Sequence, residues 1–333
     1  MSDPRPIGVF DSGVGGLTVL REILRRTPGE STIYLGDNAR APYGTRSDDE
    51  VRAFSTESID ALVARDVKAV VVACNTSTAV ALGDLRRRYD LPVLGVIRPG
   101  AVTASLTTRN RRVGVIATPA TIRSHAYFAA IKDENPALEV YEHATPELVP
   151  MVEAGMLIGP AVDGAVRDAL APLLGERDRT GDFVFPLPAS ARIDTLLLGC
   201  THYPLLRAAL EQAAGEGIAI VDSASATASA LADLLSINGL EAPAGPGGEA
   251  DAASGRSGGG AAGRVSGAAP VHVQLTTGDI EVFRSIARRM FGDAFPDVAG
   301  IDLAQPAASV AGRAHPSASA AGALPTSRVG STR

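Results

Sequence analysis

One short sequence pattern occurs twice in the chain, and it constrains the fold more than any other feature. Residues 70–76 read VVVACNT and residues 196–202 read LLLGCTH, each an apolar run followed by a small residue, a cysteine and polar residues. Such runs are typical of strands in a parallel sheet that helices cover on both faces. Because open α/β sheets bind ligands at the carboxyl ends of their strands, we expect both cysteines to lie at ligand-binding edges.

Length and composition are typical of a globular protein with two domains. The chain has 333 residues, of which 45% are hydrophobic and 20% are charged. Its net charge is −6 and its acidic and basic residues are interspersed, so no basic stripe supports a nucleic-acid partner. No apolar run approaches the roughly 20 residues that span a bilayer, and the N-terminus lacks a signal-peptide pattern. We therefore expect a cytoplasmic protein whose cysteines stay reduced.

The first predicted strand, residues 7–10, runs into a glycine-rich turn that is followed by a helical pattern. The turn reads DSGVGG at residues 11–16. A strand, a glycine-rich turn and a helix together favour anion binding, because free backbone N–H groups point at the turn. The glycines, however, lack the G-x-G-x-x-G order of a dinucleotide site. Asp11 suits an ammonium ligand or acid–base chemistry, unless it only caps the helix.

The pattern of the first half starts again near residue 112. Residues 112–119 resemble residues 6–13. The two segments align at three positions: Gly114 with Gly8, Ala117 with Asp11, and Thr118 with Ser12. Further strands are predicted at 32–37, 91–97, 138–141 and 218–221, and a helix from about residue 146 carries Glu153.

The spacing within the two halves indicates one insertion. Sixty-six positions separate Gly8 from Cys74, whereas 86 separate Gly114 from Cys200. Residues 175–192, GERDRTGDFVFPLPASAR, have the composition of a surface loop and about the length of that difference. We therefore predict a repeat with one surface-loop insertion in its second half.

Two other segments are predicted to be disordered. Residues 242–270 are rich in Gly, Ala, Ser and Pro and have almost no large apolar side chains. Such a segment cannot bury enough surface to offset the entropy that ordering removes. The tail at residues 305–333 has the same character. Between the two segments, residues 271–279 predict a late strand, and a helix follows through Met290.

Two thiols that approach one ligand from opposite sides suit the inversion of a carbon centre. The repeat suggests two α/β domains related by a pseudo-twofold axis, with their strand ends facing one cleft. One thiolate would remove a proton from a carbon, and the opposite thiol would deliver a proton to the other face. An unperturbed thiol pKa of about 8.5 allows either protonation state near neutrality. Asp11 and His202 are the candidates for tuning the two thiols.

Other interpretations stay open on the residues alone. Cys200 and His202 could form the nucleophile pair of a thiol hydrolase, although this leaves Cys74 unexplained. A zinc site would have only the two cysteines and one nearby histidine, without C-x-x-C spacing. A redox disulfide or a non-catalytic ligand-binding module is possible, but neither needs both of the polar pairs at 75–76 and 201–202. His202 could also be a structural histidine, and the cysteines could be small buried hydrophobic residues.

Six segments resemble, in order, the motifs of the cofactor-independent glutamate racemases of the aspartate/glutamate racemase superfamily. They read IGVFDSGVGGLTVL (7–20), YLGDNARAPYGTR (34–46), VVACNTSTA (71–79), GVIRPGA (95–101), GVIATPATIRSHAY (114–127) and LLLGCTHYPLL (196–206). The resemblance extends through about residue 290. It leaves out residues 175–192, residues 242–270 and the C-terminal tail.

The resemblance implies an α/β fold of two pseudo-symmetric domains with mostly parallel sheets and an active site in the cleft between them. It places residues 1–97 and 208–290 in the first domain and residues 98–207 in the second. It further implies that L- and D-glutamate are interconverted without pyridoxal phosphate or metal. The D-isomer would supply peptidoglycan synthesis, and with it cell-wall biogenesis and cell shape. Homodimers are common among such enzymes.

The resemblance also implies roles for particular residues. Cys74 would act on the Cα proton of D-glutamate and Cys200 on that of L-glutamate, with Asp11 and His202 assisting. Glu153 matches a carboxylate near the second thiol, and Asp37 one near the first. The implied substrate contacts are Asp11, Ser12, Tyr43, Gly44, Asn75, Thr76, Thr201 and His202. Aspartate racemase is the nearest alternative, and a non-catalytic amino-acid-binding module is an alternative of another class.

Overall fold

The computed structural model describes residues 2–177, 183–184, 192–243, 269–292 and 298–303. The loop predicted at 175–192 and the disordered segment predicted at 242–270 lie largely outside these ranges. The tail predicted at 305–333 lies wholly outside them.

The first sheet contains six strands, and every neighbouring pair in it is parallel. Strands are numbered in chain order; across the sheet they are β12 (Val298–Gly300), β11 (His272–Thr276), β2 (Thr32–Gly36), β1 (Ile7–Asp11), β3 (Ala69–Val72) and β4 (Val93–Gly95). β1 and β3 are neighbours inside the sheet, and all of their residues are buried. The first apolar run is therefore a fully buried parallel strand, as predicted.

The second sheet contains four parallel strands. Across the sheet they are β10 (Ala219–Asp222), β9 (Thr195–Gly199), β5 (Arg112–Ala117) and β6 (Glu139–Ala144). Between β6 and β9 in the chain, two short strands, β7 (Glu176–Arg177) and β8 (Phe183–Val184), form an antiparallel pair. This pair lies within the predicted insertion.

Helices cover both faces of both sheets. Within the described ranges they are α1 (Leu17–Arg26), α2 (Asp48–Val63), α3 (Asn75–Arg88), α4 (Ile97–Thr107), α5 (Pro119–Arg123), α6 (Ala126–Glu134), α7 (Leu148–Glu153), α8 (Pro160–Leu174), α9 (Arg207–Ala214), α10 (Ala224–Ile237) and α11 (Ile280–Phe291). On the first sheet, α1, α10 and α11 pack on one face, and α2 and α3 pack on the other. On the second sheet, α7, α8 and α9 pack on one face, and α4 and α6 pack on the other. The α/β fold with mostly parallel sheets is confirmed.

The register of the strands confirms the predicted alignment of the two halves. Gly8 lies opposite Val70, four residues before Cys74. Gly114 lies opposite Leu196, four residues before Cys200. Each half therefore places its cysteine at the carboxyl end of the strand beside its first strand. The two thiols occupy equivalent positions in two sheets of the same order.

The boundary expected after residue 207 differs from the observed sheets. Residues 208–222 were assigned to the first domain, but β10 pairs with β9 in the second sheet. The chain returns to the first sheet only with α10, whose apolar face packs in the same core as α1. A short apolar strand can pair with either sheet, so only the packing of the helices around it fixes its place.

Two predicted elements also change type near prolines. The strand predicted at 91–97 ends at Gly95, and the chain turns into α4, which has Pro99 in its first turn. Proline is tolerated there because the first-turn N–H groups have no partner within a helix. The helix predicted from Tyr203 begins as a short 3₁₀ turn over Tyr203–Leu206, and α9 follows it. Among the described residues, no helix combines the length and apolar character that crossing a membrane requires.

Candidate active site

The carboxyl ends of the strands in both sheets face one small cavity. Its volume is about 20 Å³, little more than the roughly 10–15 Å³ that one water molecule needs. It is lined by Ser12, Ala41, Pro42, Tyr43, Gly44, Cys74, Asn75, Thr76, Thr118, Val149, Glu153, Cys200, Thr201 and His202. The two thiols and nearly all of the expected substrate contacts therefore converge on a single place.

Cys74 caps the N-terminus of α3. Its sulfur accepts a hydrogen bond from the backbone N–H of Ser77 at 3.4 Å, and its thiol donates to Ser12 Oγ at 3.4 Å. Burial raises the pKa of Cys74, and the nearby charge of Asp11 raises it further. The side chains of Ser12 and Ser77 and the N–H of Ser77 lower the pKa of Cys74, because each can donate a hydrogen bond to the thiolate.

Cys200 lies at one end of a chain of three polar groups. Its sulfur is 3.7 Å from Nδ1 of His202, and Nε2 of His202 is 2.5 Å from Oε1 of Glu153. Both ring nitrogens donate only when the imidazole is protonated, so this arrangement favours the imidazolium. Burial alone would lower the pKa of His202, but its hydrogen bonds to Cys200 and Glu153 raise that pKa well above 6.5.

Glu153 completes this chain from a different element, the C-terminal end of α7. Burial raises the pKa of a carboxyl group, but the hydrogen bond and charge of His202 outweigh burial and hold the pKa of Glu153 below 4.5. Glu153 is therefore a carboxylate directed at His202 and is not simply part of a solvated helix face. His202 is buried and bonded at both ring nitrogens.

Asp11 is fully buried at the junction of the two sheets. Its Oδ2 accepts from the N–H of Gly13 at 3.0 Å, and its Oδ1 accepts from the hydroxyl of Thr201 at 3.3 Å. Burial raises the pKa of Asp11, and the positive charge of His202 opposes the rise. The side chain holds the glycine-rich turn and reaches the second sheet. Helix α1 itself has Gly16 at its cap and no side-chain cap.

The glycines of the turn allow the two sheets to approach each other closely. A Cβ on Gly15 would lie 2.5 Å from Thr201 Oγ1 and 2.6 Å from His202 Nδ1. A Cβ on Gly16 would lie 2.4 Å from the Cβ of Asp11. Side chains of the protein therefore pack directly against the turn.

Two expected residues, Asp11 and Asp37, do not line the cavity. Asp37 holds a loop in place. It is fully buried, and its carboxylate accepts hydrogen bonds from the hydroxyl of Tyr43, from Arg40 Nε at 2.6 Å and from Thr277 Oγ1 at 2.7 Å. It thus fixes the loop that presents Tyr43 and Gly44 to the cavity.

The polar groups at the start of α3 leave one donor free. The hydroxyl of Tyr127 donates to Asn75 Oδ1 at 2.6 Å, but Nδ2 of Asn75 is buried without a hydrogen-bond partner among the described residues. Thr76 shares a hydrogen bond of 2.9 Å with Thr118. A buried donor at a helix N-terminus, beside hydroxyl groups, suits the binding of a carboxylate.

Sequence reasoning missed four residues that line the cavity: Ala41, Pro42, Thr118 and Val149. For Thr118 a signal existed, because the repeat aligns it with Ser12, which was already a candidate. Val149 lies on α7 one turn before Glu153, and no sequence pattern marked it. Among the described residues, no three His, Cys, Asp or Glu side chains are grouped so as to hold a metal ion.

Comparison with known proteins identifies the class first. The family model for Asp/Glu/Hydantoin racemases matches residues 7–231, which include both cysteine-bearing strands and the glycine-rich turn. Racemases are isomerases, and a site formed between two similar α/β domains fits that class. The glutamate racemase of Oceanobacillus iheyensis is 41% identical over 86% of this chain and 92% of its own length. The chain belongs to the glutamate racemase family.

Solved structures agree with this assignment. A glutamate racemase isoform from Bacillus anthracis superposes with a TM-score of 0.75 at 38% identity, covering 91% of this chain and 98% of its own. The glutamate racemase of Francisella tularensis, in complex with D-glutamate, gives a TM-score of 0.74 at 30% identity, covering 90% and 98%. The fold and the family that the sequence motifs predicted are both confirmed.

Proposed function

We propose that this protein interconverts L-glutamate and D-glutamate by moving the Cα proton between two thiols. The observation that carries the proposal is that Cys74 and Cys200, one from each sheet, line the same cavity. Thiols on opposite sides of a carbon can remove a proton from one face and return one to the other. In this scheme Cys74 takes the proton of D-glutamate and Cys200 takes that of L-glutamate.

The two acid–base groups are supported by different neighbours. The imidazolium of His202, held by Glu153, stabilises the thiolate of Cys200. Ser12 and the first turn of α3 contact Cys74. In each direction one sulfur is a thiolate and the other a thiol, and they exchange these states on turnover.

The remaining polar groups suit the charges of glutamate. Its carboxylates can accept from the free Nδ2 of Asn75 and from the hydroxyls of Ser12, Thr76 and Thr201. Backbone N–H groups at Tyr43 and Gly44 and at the start of α3 add further donors. Asp11 supplies the negative charge that an ammonium group requires. Fixing the substrate at both ends holds Cα between the thiols.

The small size of the cavity implies that substrate entry requires movement. About 20 Å³ holds no amino acid, so in this proposal the two domains separate to admit glutamate and close around it. Closure excludes water, which strengthens every electrostatic interaction inside the site. The D-glutamate formed would supply peptidoglycan synthesis, and a cytoplasmic homodimer remains the expected form of the enzyme.

The proposal is tested by incubating the purified protein with L- or D-glutamate in D₂O, without added cofactor. Loss of optical rotation and entry of deuterium at Cα are followed together, the latter by mass spectrometry. We expect racemisation from both isomers, with deuterium entering mainly the inverted product at early times. Activity with aspartate instead would assign aspartate as the substrate. Binding of glutamate without any exchange would overturn the catalytic proposal and favour a binding module.

A further inference from the structure

The two thiols occupy equivalent positions, but the residue three places after each is different. Three positions after Cys74 the chain has Ser77, whereas three positions after Cys200 it has Tyr203. The backbone N–H of Ser77 donates to the sulfur of Cys74 at 3.4 Å. The N–H of Tyr203 instead donates to the carbonyl oxygen of Cys200, at 3.2 Å, because a 3₁₀ turn begins there.

The positions two places after the thiols differ as well. Cys200 has His202 there, whose ring nitrogen lies 3.7 Å from the sulfur. Cys74 has Thr76, whose hydroxyl bonds to Thr118 and does not contact the sulfur. No imidazole or other cationic side chain therefore contacts Cys74 among the described residues, and its thiolate needs another source of stabilisation.

The ionisable groups around Cys74 do not stabilise its thiolate. Asp11 on β1, Tyr34 on β2 and Tyr43 on the following loop all lie near its sulfur, and Asp11 disfavours its ionisation. Across the cavity lie His202, Glu153 and Cys200. Of these groups only His202 is a cation, and it is already bonded to Cys200 and Glu153.

A pair of buried hydroxyl groups lies beside Cys74. Ser55, on α2, donates to Ser77 Oγ at 2.9 Å, and neither side chain is exposed. Because Ser77 Oγ accepts that proton, its own hydroxyl proton is free to be directed at the sulfur, and the side chain of Ser77 lowers the pKa of Cys74. Ser77 thus offers two donors, a hydroxyl and a backbone N–H, to one sulfur.

We propose that Ser77, oriented by Ser55, stabilises the thiolate of Cys74, as His202 does for Cys200. Ser77 and Ser55 are positioning residues, since they act on the reacting proton through the sulfur. The two halves of the repeat thus stabilise their thiolates differently. Neutral donors and a helix N-terminus stabilise the thiolate of Cys74, whereas a cation stabilises that of Cys200. The inference rests on the proposed function for its catalytic meaning, but its physical content is a property of the thiol.

The test is a titration of each thiol by NMR, using protein labelled with ¹³C at the cysteine Cβ. The chain has two cysteines, so Cys200→Ser leaves only Cys74 and Cys74→Ser leaves only Cys200. Ser77→Ala, Ser55→Ala and the control Ser58→Ala are introduced into both backgrounds. Ser58 is also buried on α2, but its hydroxyl has no hydrogen-bond partner in the part of the chain that the structure describes.

We expect Ser77→Ala to raise the pKa of Cys74 by about 1, because the thiolate loses a hydrogen-bond donor. Ser55→Ala should raise it by less, because Ser77 keeps both donors but loses its orientation. Ser58→Ala should leave it unchanged, and none of the three should alter the titration of Cys200. An unchanged Cys74 titration in folded Ser77→Ala protein, or an equal change at both cysteines, would overturn the proposal.

Activity measurements separate this inference from the proposed reaction. L- and D-glutamate have equal free energies, so kcat/KM must be the same in both directions, and Ser77→Ala should lower both equally. In the Ser77→Ala variant a smaller fraction of Cys74 is ionised to accept the proton of D-glutamate. In the opposite direction, the thiol of Cys74 has a higher pKa and donates its proton less readily to the intermediate formed from L-glutamate. If the titration moves as expected in a protein that does not racemise glutamate, the reaction is wrong and the role of Ser77 stands. If the protein racemises glutamate and the titration of Cys74 does not move, the proposed reaction stands and the proposed role of Ser77 is wrong.

Discussion

At the scale of single residues, the two thiols differ in how their ionised forms are stabilised. Cys200 contacts an imidazole that a carboxylate holds in place, whereas Cys74 is capped by the first turn of a helix. A histidine two positions after a cysteine is visible in the sequence. That Glu153, 49 positions away, bonds to this histidine becomes visible only in the folded chain.

Replacing Cys74 with serine tests the two-thiol mechanism. A serine hydroxyl does not ionise near neutral pH, so Cys74→Ser should lower kcat/KM by at least about 10³-fold with either isomer. Circular dichroism should show an unchanged fold, because the substitution removes little volume. Cys200→Ser should behave in the same way, since each direction uses one thiolate and one thiol. Normal turnover by either variant would remove that cysteine from the mechanism.

Replacing Glu153 with glutamine tests the support of His202. Without the carboxylate, the imidazolium loses its hydrogen-bonded counter-ion, so Glu153→Gln should lower kcat/KM on the order of 10- to 100-fold. Glu147→Gln is the matched control, because Glu147 lies at the other end of α7 and is exposed. Equal losses in the two variants would contradict a specific role for Glu153.

The ion pair between His202 and Glu153 should also make the free energy of unfolding depend on pH. The pKa of His202 is raised above 6.5, so its contribution is complete below pH 6.5 and is lost as the pH rises through the folded value. The pKa of Glu153 is lowered below 4.5, so its contribution is complete above pH 4.5 and is lost as the pH falls through the folded value. Urea unfolding should therefore show the largest destabilisation by Glu153→Gln between these two pH values.

At the scale of elements, the glycine-rich turn is a place of close contact between the two domains. Gly15→Ala would place a Cβ within 2.6 Å of Thr201 Oγ1 and His202 Nδ1, so one side of the cavity must move. We expect kcat/KM to fall on the order of 10²-fold. Gly29→Ala is the control, since a Cβ there meets no atom within 4 Å. A fully active Gly15→Ala enzyme would show that this contact does not matter for the reaction.

The described residues on either side of the segment at 244–268 are anchored to neighbouring residues of the first domain. On its N-terminal side, the N–H of Ala242 bonds to Glu30, and on its C-terminal side the N–H of Val271 bonds to Ser31. Because these anchors are neighbours in the chain, a short Gly-Ser linker can replace residues 244–268. We expect kcat/KM to stay within about twofold of the parent protein. A large loss in a folded variant would give the segment a role that its composition does not predict.

At the scale of the whole molecule, the site belongs to neither domain alone. Cys74 and Cys200 are both nearly buried and share one cavity. Alkylation by iodoacetamide therefore requires opening of the cleft, and a bound ligand should protect both thiols together. With D-glutamate at ten times its Kd, we expect about tenfold slower labelling at each cysteine. Protection of only one cysteine, measured by mass spectrometry, would mean that the thiols do not share the ligand.

The sequence by itself determined the two cysteine-bearing strands and the point at which each of them ends. The apolar runs predicted buried strands, and the repeat predicted two similar sheets whose register was confirmed at Gly8 and Gly114. Because side chains after a parallel strand lie at the ligand-binding edge, these local patterns were enough to select both cysteines, Asp11 and His202. Their reliability has a simple physical reason, since periodicity, turn residues and strand ends are properties of contiguous chain.

Tertiary structure alone decided which distant groups meet. It placed β10 in the second sheet, turned Asp37 toward Tyr43 and brought Ser55 to Ser77. Each of these outcomes depends on how helices and sheets pack across many intervening residues, and a linear pattern does not specify such packing. Local sequence thus fixes the position of each cysteine at the end of its strand. The packing of the two domains around one cavity determines which groups surround each thiol and hence how readily it ionises.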